Sequence, residues 1–150
     1  MFTKKIKYTN YNGEEREVKH YFNLNKAELL EMELVTPGGY ENYINRIIET
    51  RDQKTLVEIF KDLILKSYGI KSDDGETFIK NDKIREEFEN SEAFSELYFE
   101  LATNTDSATA FVNGIIPPAL AAEVKKEQAK REAEANKNAQ ASESSSQKNN

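Results

Sequence analysis

Val124 is the last large apolar residue of this 150-residue chain, and between Glu123 and Asn150 it is the only one. A core forms by withdrawing apolar surface from water. Any core must therefore come from the preceding residues, enough for one ordinary domain. Pro117-Pro118 marks where the compact part ends. The chain accordingly divides into residues 1–118, expected to fold, and an Ala/Glu/Lys-rich tail, 119–150. Ala119 to about Ala135 has high helix propensity with almost no apolar stripe past Val124, so such a helix is marginal alone. The final ten residues, Ala-Ser-Glu-Ser-Ser-Ser-Gln-Lys-Asn-Asn, read as disordered. The tail is expected to bury almost nothing, so that a stop after Pro118 or Ala122 would leave stability nearly unchanged.

The net charge is −6, from 21 basic and 27 acidic residues. Setting aside the six basic and five acidic residues from Glu123 onward leaves 15 and 22, a net −7 in the folding part. A duplex-binding surface usually carries the opposite sign, so nucleic acid is not an expected partner. No apolar run approaches the roughly 18 residues of a membrane span, and the N-terminus shows no apolar h-region. The expected setting is cytoplasmic. The absence of cysteine excludes disulfides, thiolate metal sites and cysteine nucleophiles.

Residues 2–22 read as a β-hairpin. A three-residue loop with Gly13 in the left-handed region pairs Asn10 with Glu14. It sets Ile6 opposite Val18, Phe2 opposite Phe22 and Lys7 opposite Glu17. A two-residue Asn12-Gly13 turn would mix polar and apolar residues on each face. An isolated hairpin is marginal in water, so this one must lie on helices or on another chain.

The remainder reads as helical. Asn25, with Glu28 three residues on, is a capping box for a helix through Leu29, Leu30 and Met32. Pro37-Gly38-Gly39 ends it. Tyr40, Tyr43, Ile44, Ile47 and Ile48 then form a helical stripe. Asp52 can cap a third helix with Leu56, Phe60, Leu63 and Ser67 on its face, widened by Val57, Ile64 and Tyr68. Lys66 and Gly69 supply its end signal. Ser72 to Gly75 is a turn, and Glu76 to Lys80 is a short extended piece or an ordered loop. Asp82, Ser91 and Asp106 are the expected caps of three further helices. The second carries Phe94, Leu97, Tyr98 and Leu101. The third carries Ala108, Phe111, Val112 and Ile115, closed by Gly114. The fold class is therefore mainly α, an N-terminal β-hairpin packed on a small multi-helix domain, with a disordered C-terminal tail.

No reactive constellation stands out. His20, on the hairpin's inner face, lacks the nucleophile and orienting carboxylate that a catalytic base requires. Aligning Gly75 to position six of a calcium loop puts Ile70 first and Asn81 twelfth, so the acids there fit an Asp-Gly turn instead. The six glycines each have a turn, break or cap role, which leaves no phosphate cradle. Glu86-Glu87 and Glu31-Glu33 read as solvated helix faces. Lys4, Lys5 and Lys7 read as cross-strand partners of Glu15 and Glu17. The expectation is no catalytic, cofactor or metal site. Two apolar residues fall off every stripe: Phe99, about 100° around its helix from Tyr98, and Ile116, just past a helix end. They are second-layer core or a partner-binding patch.

The order of these elements resembles the tail assembly chaperones of long non-contractile-tailed (siphophage-type) bacteriophages, especially those of Gram-positive hosts. The stretches that carry the resemblance are Phe-Asn-Leu-Asn-Lys-Ala-Glu-Leu-Leu-Glu-Met-Glu at 22–33 and Gly-Gly-Tyr-Glu-Asn-Tyr-Ile-Asn-Arg-Ile-Ile at 38–48. Ile-Phe-Lys-Asp-Leu-Ile-Leu-Lys-Ser-Tyr-Gly at 59–69, Ser-Glu-Ala-Phe-Ser-Glu-Leu-Tyr-Phe-Glu-Leu-Ala at 91–102 and Ala-Phe-Val-Asn-Gly-Ile-Ile-Pro at 110–117 complete it. It implies a non-enzymatic virion assembly factor that keeps the long, hydrophobic tape measure protein soluble and helps recruit tail tube subunits. Self-association and a frameshifted longer form that reaches the tail tube protein go with it. It also implies action in the cytoplasm of the infected host and absence from the mature virion. The alternative is a small non-enzymatic adaptor or structural protein binding one folded partner. An enzyme using His20 comes third.

Overall fold

The computed structural model describes residues 1–116 and 118–147, apart from the side chains of residues 41, 44, 47, 48 and 143–147. Along the chain these form β1 (Phe2–Thr9), β2 (Glu15–Phe22), α1 (Lys26–Val35), α2 (Tyr40–Thr50) and α3 (Gln53–Ser67). Then come β3 (Tyr68–Lys71), β4 (Phe78–Ile79), α4 (Asp82–Glu89), α5 (Glu92–Thr103), α6 (Thr105–Ile115) and α7 (Pro118–Gln147).

The hairpin has the expected register: Phe2 faces Phe22, Ile6 faces Val18 and Lys7 faces Glu17. Asn10 N–H donates to the Glu14 carbonyl at 2.9 Å, and Gly13 sits at φ 79°. Alternation sends Phe2, Lys4, Ile6 and Tyr8 inward and leaves Thr3, Lys5, Lys7 and Thr9 exposed. The basic strip therefore divides between the two faces. Lys4 reaches Glu100 on α5 at 2.7 Å, whereas Lys5 lies opposite Lys19. Of the expected cross-strand charge pairs, Lys7 opposite Glu17 is the one the register makes.

The hairpin is part of a four-stranded antiparallel sheet ordered β1-β2-β3-β4. The third helix ends where Lys66 and Gly69 place its end, and the residues after it enter the sheet. Tyr68 is the extended C-cap of α3, and Gly69 pairs with Tyr21 within β3. The glycine is needed for close approach: a Cβ there would sit 2.6 Å from the Phe78 ring and 2.9 Å from the Ile79 carbonyl. The ambiguous 76–80 stretch resolves in part to strand β4.

Both halves of the capping box form: the Asn25 side chain accepts from Glu28 N–H, and the Glu28 carboxylate accepts from Asn25 N–H. Asp52 and Ser91 cap α3 and α5. Two expected caps shift. Asn81, extended at φ −155°, caps α4 in place of Asp82. Asn104 both ends α5 and caps α6, so Asp106 lies in the first turn. Each asparagine carbonyl accepts the N–H three residues on while its neighbouring aspartate adds negative charge at the positive helix end. Of the stripe on α2, the side chains of Ile44, Ile47 and Ile48 lie outside the described residues.

The core joins the sheet's inner face to α1 and α3–α6. Phe22 and Phe111 are fully buried and meet edge to face at 5.4 Å, as Phe2 and Phe111 do at 5.3 Å. Phe88 stacks on Tyr68 at 3.9 Å. Gly114 lies inside α6, where a Cβ would meet the Phe2 ring at 2.5 Å. Its role is to admit that ring, not to close the helix.

The expectation that the segment after Pro118 buries almost nothing is corrected at α7. Val124 is only 6% exposed and belongs to the core, and Leu120 packs against it. α7 lies along α1, and Lys26 pairs with Glu123. Leu120, Val124 and the half-buried Gln128 recur every four residues, which places them on one helical face. Residues 129–142 are exposed helix, including Ala141 and Ser142 from the run expected to be disordered. Residues 148–150 of that run lie outside the described residues.

Candidate interaction surface

His20 is partly buried, facing the rings of Tyr68 and Phe88 at 5.9 and 5.3 Å. Its Nε2 is buried with no hydrogen-bond partner among the described residues, and burial holds its pKa below the usual imidazole value. Its ring neighbours among the described residues are Tyr68 and Phe88.

The Asp-Gly turn is built around Asp74. Its carboxylate accepts from Ser72 Oγ at 2.6 Å and from Glu76 N–H at 3.1 Å, which holds its pKa below the ordinary carboxylate value. These contacts give the Asp74 carboxylate a local, turn-forming role. Among the described residues no cluster of three or more His, Cys, Asp and Glu could hold a metal ion. No described helix is long and apolar enough to cross a membrane.

The two off-stripe residues sit in different environments. Phe99 is 68% exposed on α5. Helical spacing sets Ser95, Glu96, Ala102 and Thr103 around it, all exposed. Ile116, the C-cap of α6, is half-buried and packs against the core. Other large apolar side chains open to solvent are Met1, Tyr11 in the hairpin loop, Leu34 and Val35 at the end of α1, Ile70 and Ile79 paired across β3 and β4, and Val57 on α3. Val57, expected to widen the core face of α3, instead stands at its open N-terminal half.

Two concavities among the described residues bear on binding. One, of about 630 Å³, lies at the hairpin tip, is open, and is lined mostly by charged residues including Lys7, Arg16 and Glu96. The other, of about 300 Å³, is lined by Leu24, Glu28, Glu31, Met32, Val35, Lys66 and Arg85. Its residues come from α1, α3, α4 and the loop before α1, a convergence that no local sequence pattern announces. Lys80 braces its rim. The Lys80 side chain is 10% exposed, and its Nζ donates to the Asn23 carbonyl at 2.6 Å and to both Glu28 oxygens at 2.8 Å. Desolvation, partly offset by Glu28, holds its pKa below the ordinary lysine value.

The surface therefore offers scattered apolar side chains on an acidic body. A family model described as phage tail assembly chaperone matches residues 1–150. No curated protein and no solved structure matches the chain.

Proposed function

The chain belongs to the phage tail assembly chaperones, and we propose that it keeps a tape measure protein in solution and helps gather tail tube subunits around it. Membership points to a non-enzymatic role on tail proteins in the infected cell. The finer reading is ours: a long non-contractile-tailed phage of a Gram-positive host, action in the cytoplasm, and no place in the mature virion. Recruitment of the tube protein runs through a frameshifted longer form of this chain, with the Lys125-Lys126 segment of α7 in its linker.

The observation that carries the client contact is Phe99. An aromatic ring left mostly in water on a well-packed helix has no role in the core of this chain. Such rings are typical anchors of protein interfaces. The exposed part of Ile116 is the second contact. Several copies bind each long client, and the net charge of −6 per chain keeps the assembly dispersed.

Co-expression with a tape measure fragment that is insoluble alone tests this. The fragment is expected in the soluble fraction with the wild-type chain, and less of it with Phe99→Asp. That variant should fold normally, because the side chain is exposed. A fragment that stays insoluble at several-fold excess of the wild-type chain overturns the reading.

A further inference from the structure

We propose that the 300 Å³ groove beside α1 is a second client site, and that it takes an amphipathic segment presenting an aliphatic side chain with a carboxylate next to it. This rests on the client-binding reading above and specifies one of the contacts. The groove has apolar and charged parts. Leu24 and Met32 form its buried apolar lining, and Val35 extends this to the surface at 72% exposure. Lys66 and Arg85 supply positive charge from α3 and α4, opposed by Glu28 and Glu31 of α1.

Arg85 is the residue whose bonding is incomplete. Its Nε is buried without a partner among the described residues. Its nearest anion is Asp82, 3.7 Å from Nη1, with a fully solvated side chain. At that distance the pair is not a hydrogen bond. A planar guanidinium binds a carboxylate best through two parallel N–H donors. Turning toward the groove would exchange a long, water-screened contact for such a pair and give Nε the acceptor it lacks. Lys66 already pairs with Asp62 at 2.8 Å, and Glu28 is held by Lys80, so Arg85 and Glu31 are the groove charges left to read the ligand. Among aliphatic occupants the open Arg85 Nε favours one with a single acid beside the apolar residue, and Glu31 disfavours a second acid. Met32 suits a site that must accept varied aliphatic side chains, because its thioether chain is unbranched and adaptable.

The test uses the full chain and the same tape measure fragment. A photo-crosslinking residue at position 35 is expected to capture the fragment, while one at position 19, on the open sheet face, is not. Val35→Asp and Arg85→Gln are each expected to weaken fragment binding about tenfold, and Arg85→Lys to restore little of it. Circular dichroism checks that the variants fold. If the wild-type chain binds no fragment, this inference falls with the function it rests on. If the wild-type chain binds while position 35 stays uncrosslinked and both variants bind normally, the groove assignment alone falls. Crosslinking of position 35 to a second copy of the chain instead of the fragment also overturns it.

Discussion

His20, which has no catalytic partners legible in the sequence, is packed among aromatic rings in the fold. Its imidazole is wedged against Tyr68 and Phe88, and burial alone lowers its pKa. The lowered value fixes the sign of a pH effect. Below the ordinary imidazole pKa of about 6.5 the unfolded chain takes up a proton that the folded chain refuses. Stability must therefore fall as pH drops from about 6.5 toward the folded-state pKa, and this contribution is constant above that window. His20→Phe, which keeps an aromatic ring in the site, should flatten this slope while leaving the carboxylate-driven loss at lower pH. Urea unfolding midpoints between pH 7.5 and 5 measure it; an unchanged slope in the variant would show that other groups are responsible. The helical angle takes Phe99 off the apolar stripe but leaves it between second-layer core and open surface, and its exposure in the fold decides between them. The place of Arg85 in a groove is not legible in the sequence, since the groove depends on α1, α3 and α4 meeting.

At the level of elements, the sequence is most informative where a turn or cap fixes geometry locally. The hairpin register follows from Gly13, whose positive φ serves a tight loop, together with the apolar face that only the three-residue loop keeps intact. α1 follows from its capping box. β3 was hidden because Tyr68-Gly69 stands where a helix stop was expected, and its partner strand ends forty-six residues earlier. Pairing at that separation leaves no local signature. The docking of α7 was hidden because its stripe is thin, Leu120 and Val124 with little else, on a helix whose other residues are small or charged. This changes the expected effect of truncation. A stop after Pro118 removes the buried Val124, the packed Leu120 and the Lys26–Glu123 pair. Burying one such aliphatic side chain is worth about 1.5–3 kcal/mol, and the exposed ion pair adds little. The thermal midpoint should fall by roughly 4–10 °C. A stop after Gln128 spares all three contacts and should change it by no more than roughly 2 °C. Thermal melts of the two truncations decide between a docked and a free α7.

For the whole molecule, binding the client and dispersing the complex should depend on different forces. Binding is assigned chiefly to apolar side chains, Phe99 and the Leu24, Met32 and Val35 lining of the groove, whose attraction does not weaken with ionic strength. Dispersion is assigned to net charge: 27 acidic against 21 basic residues give −6 at pH 7, with a sequence pI near 5.0. Several copies on one client multiply that charge, and complexes repel one another until it is neutralised. The two forces separate experimentally. Raising salt from 0.1 to 1 M shortens the Debye length from about 10 to 3 Å, yet the client should remain bound in a pull-down at both concentrations. Lowering the pH of a preformed complex from 7.5 toward 5 should make it scatter light, reversibly on return to pH 7.5, while far-UV circular dichroism shows the chaperone still helical. Release of the client at high salt would mean that charge and not apolar contact holds it. A complex that stays clear at pH 5 would mean that repulsion is not what disperses it, and that burial of the client's apolar surface is sufficient.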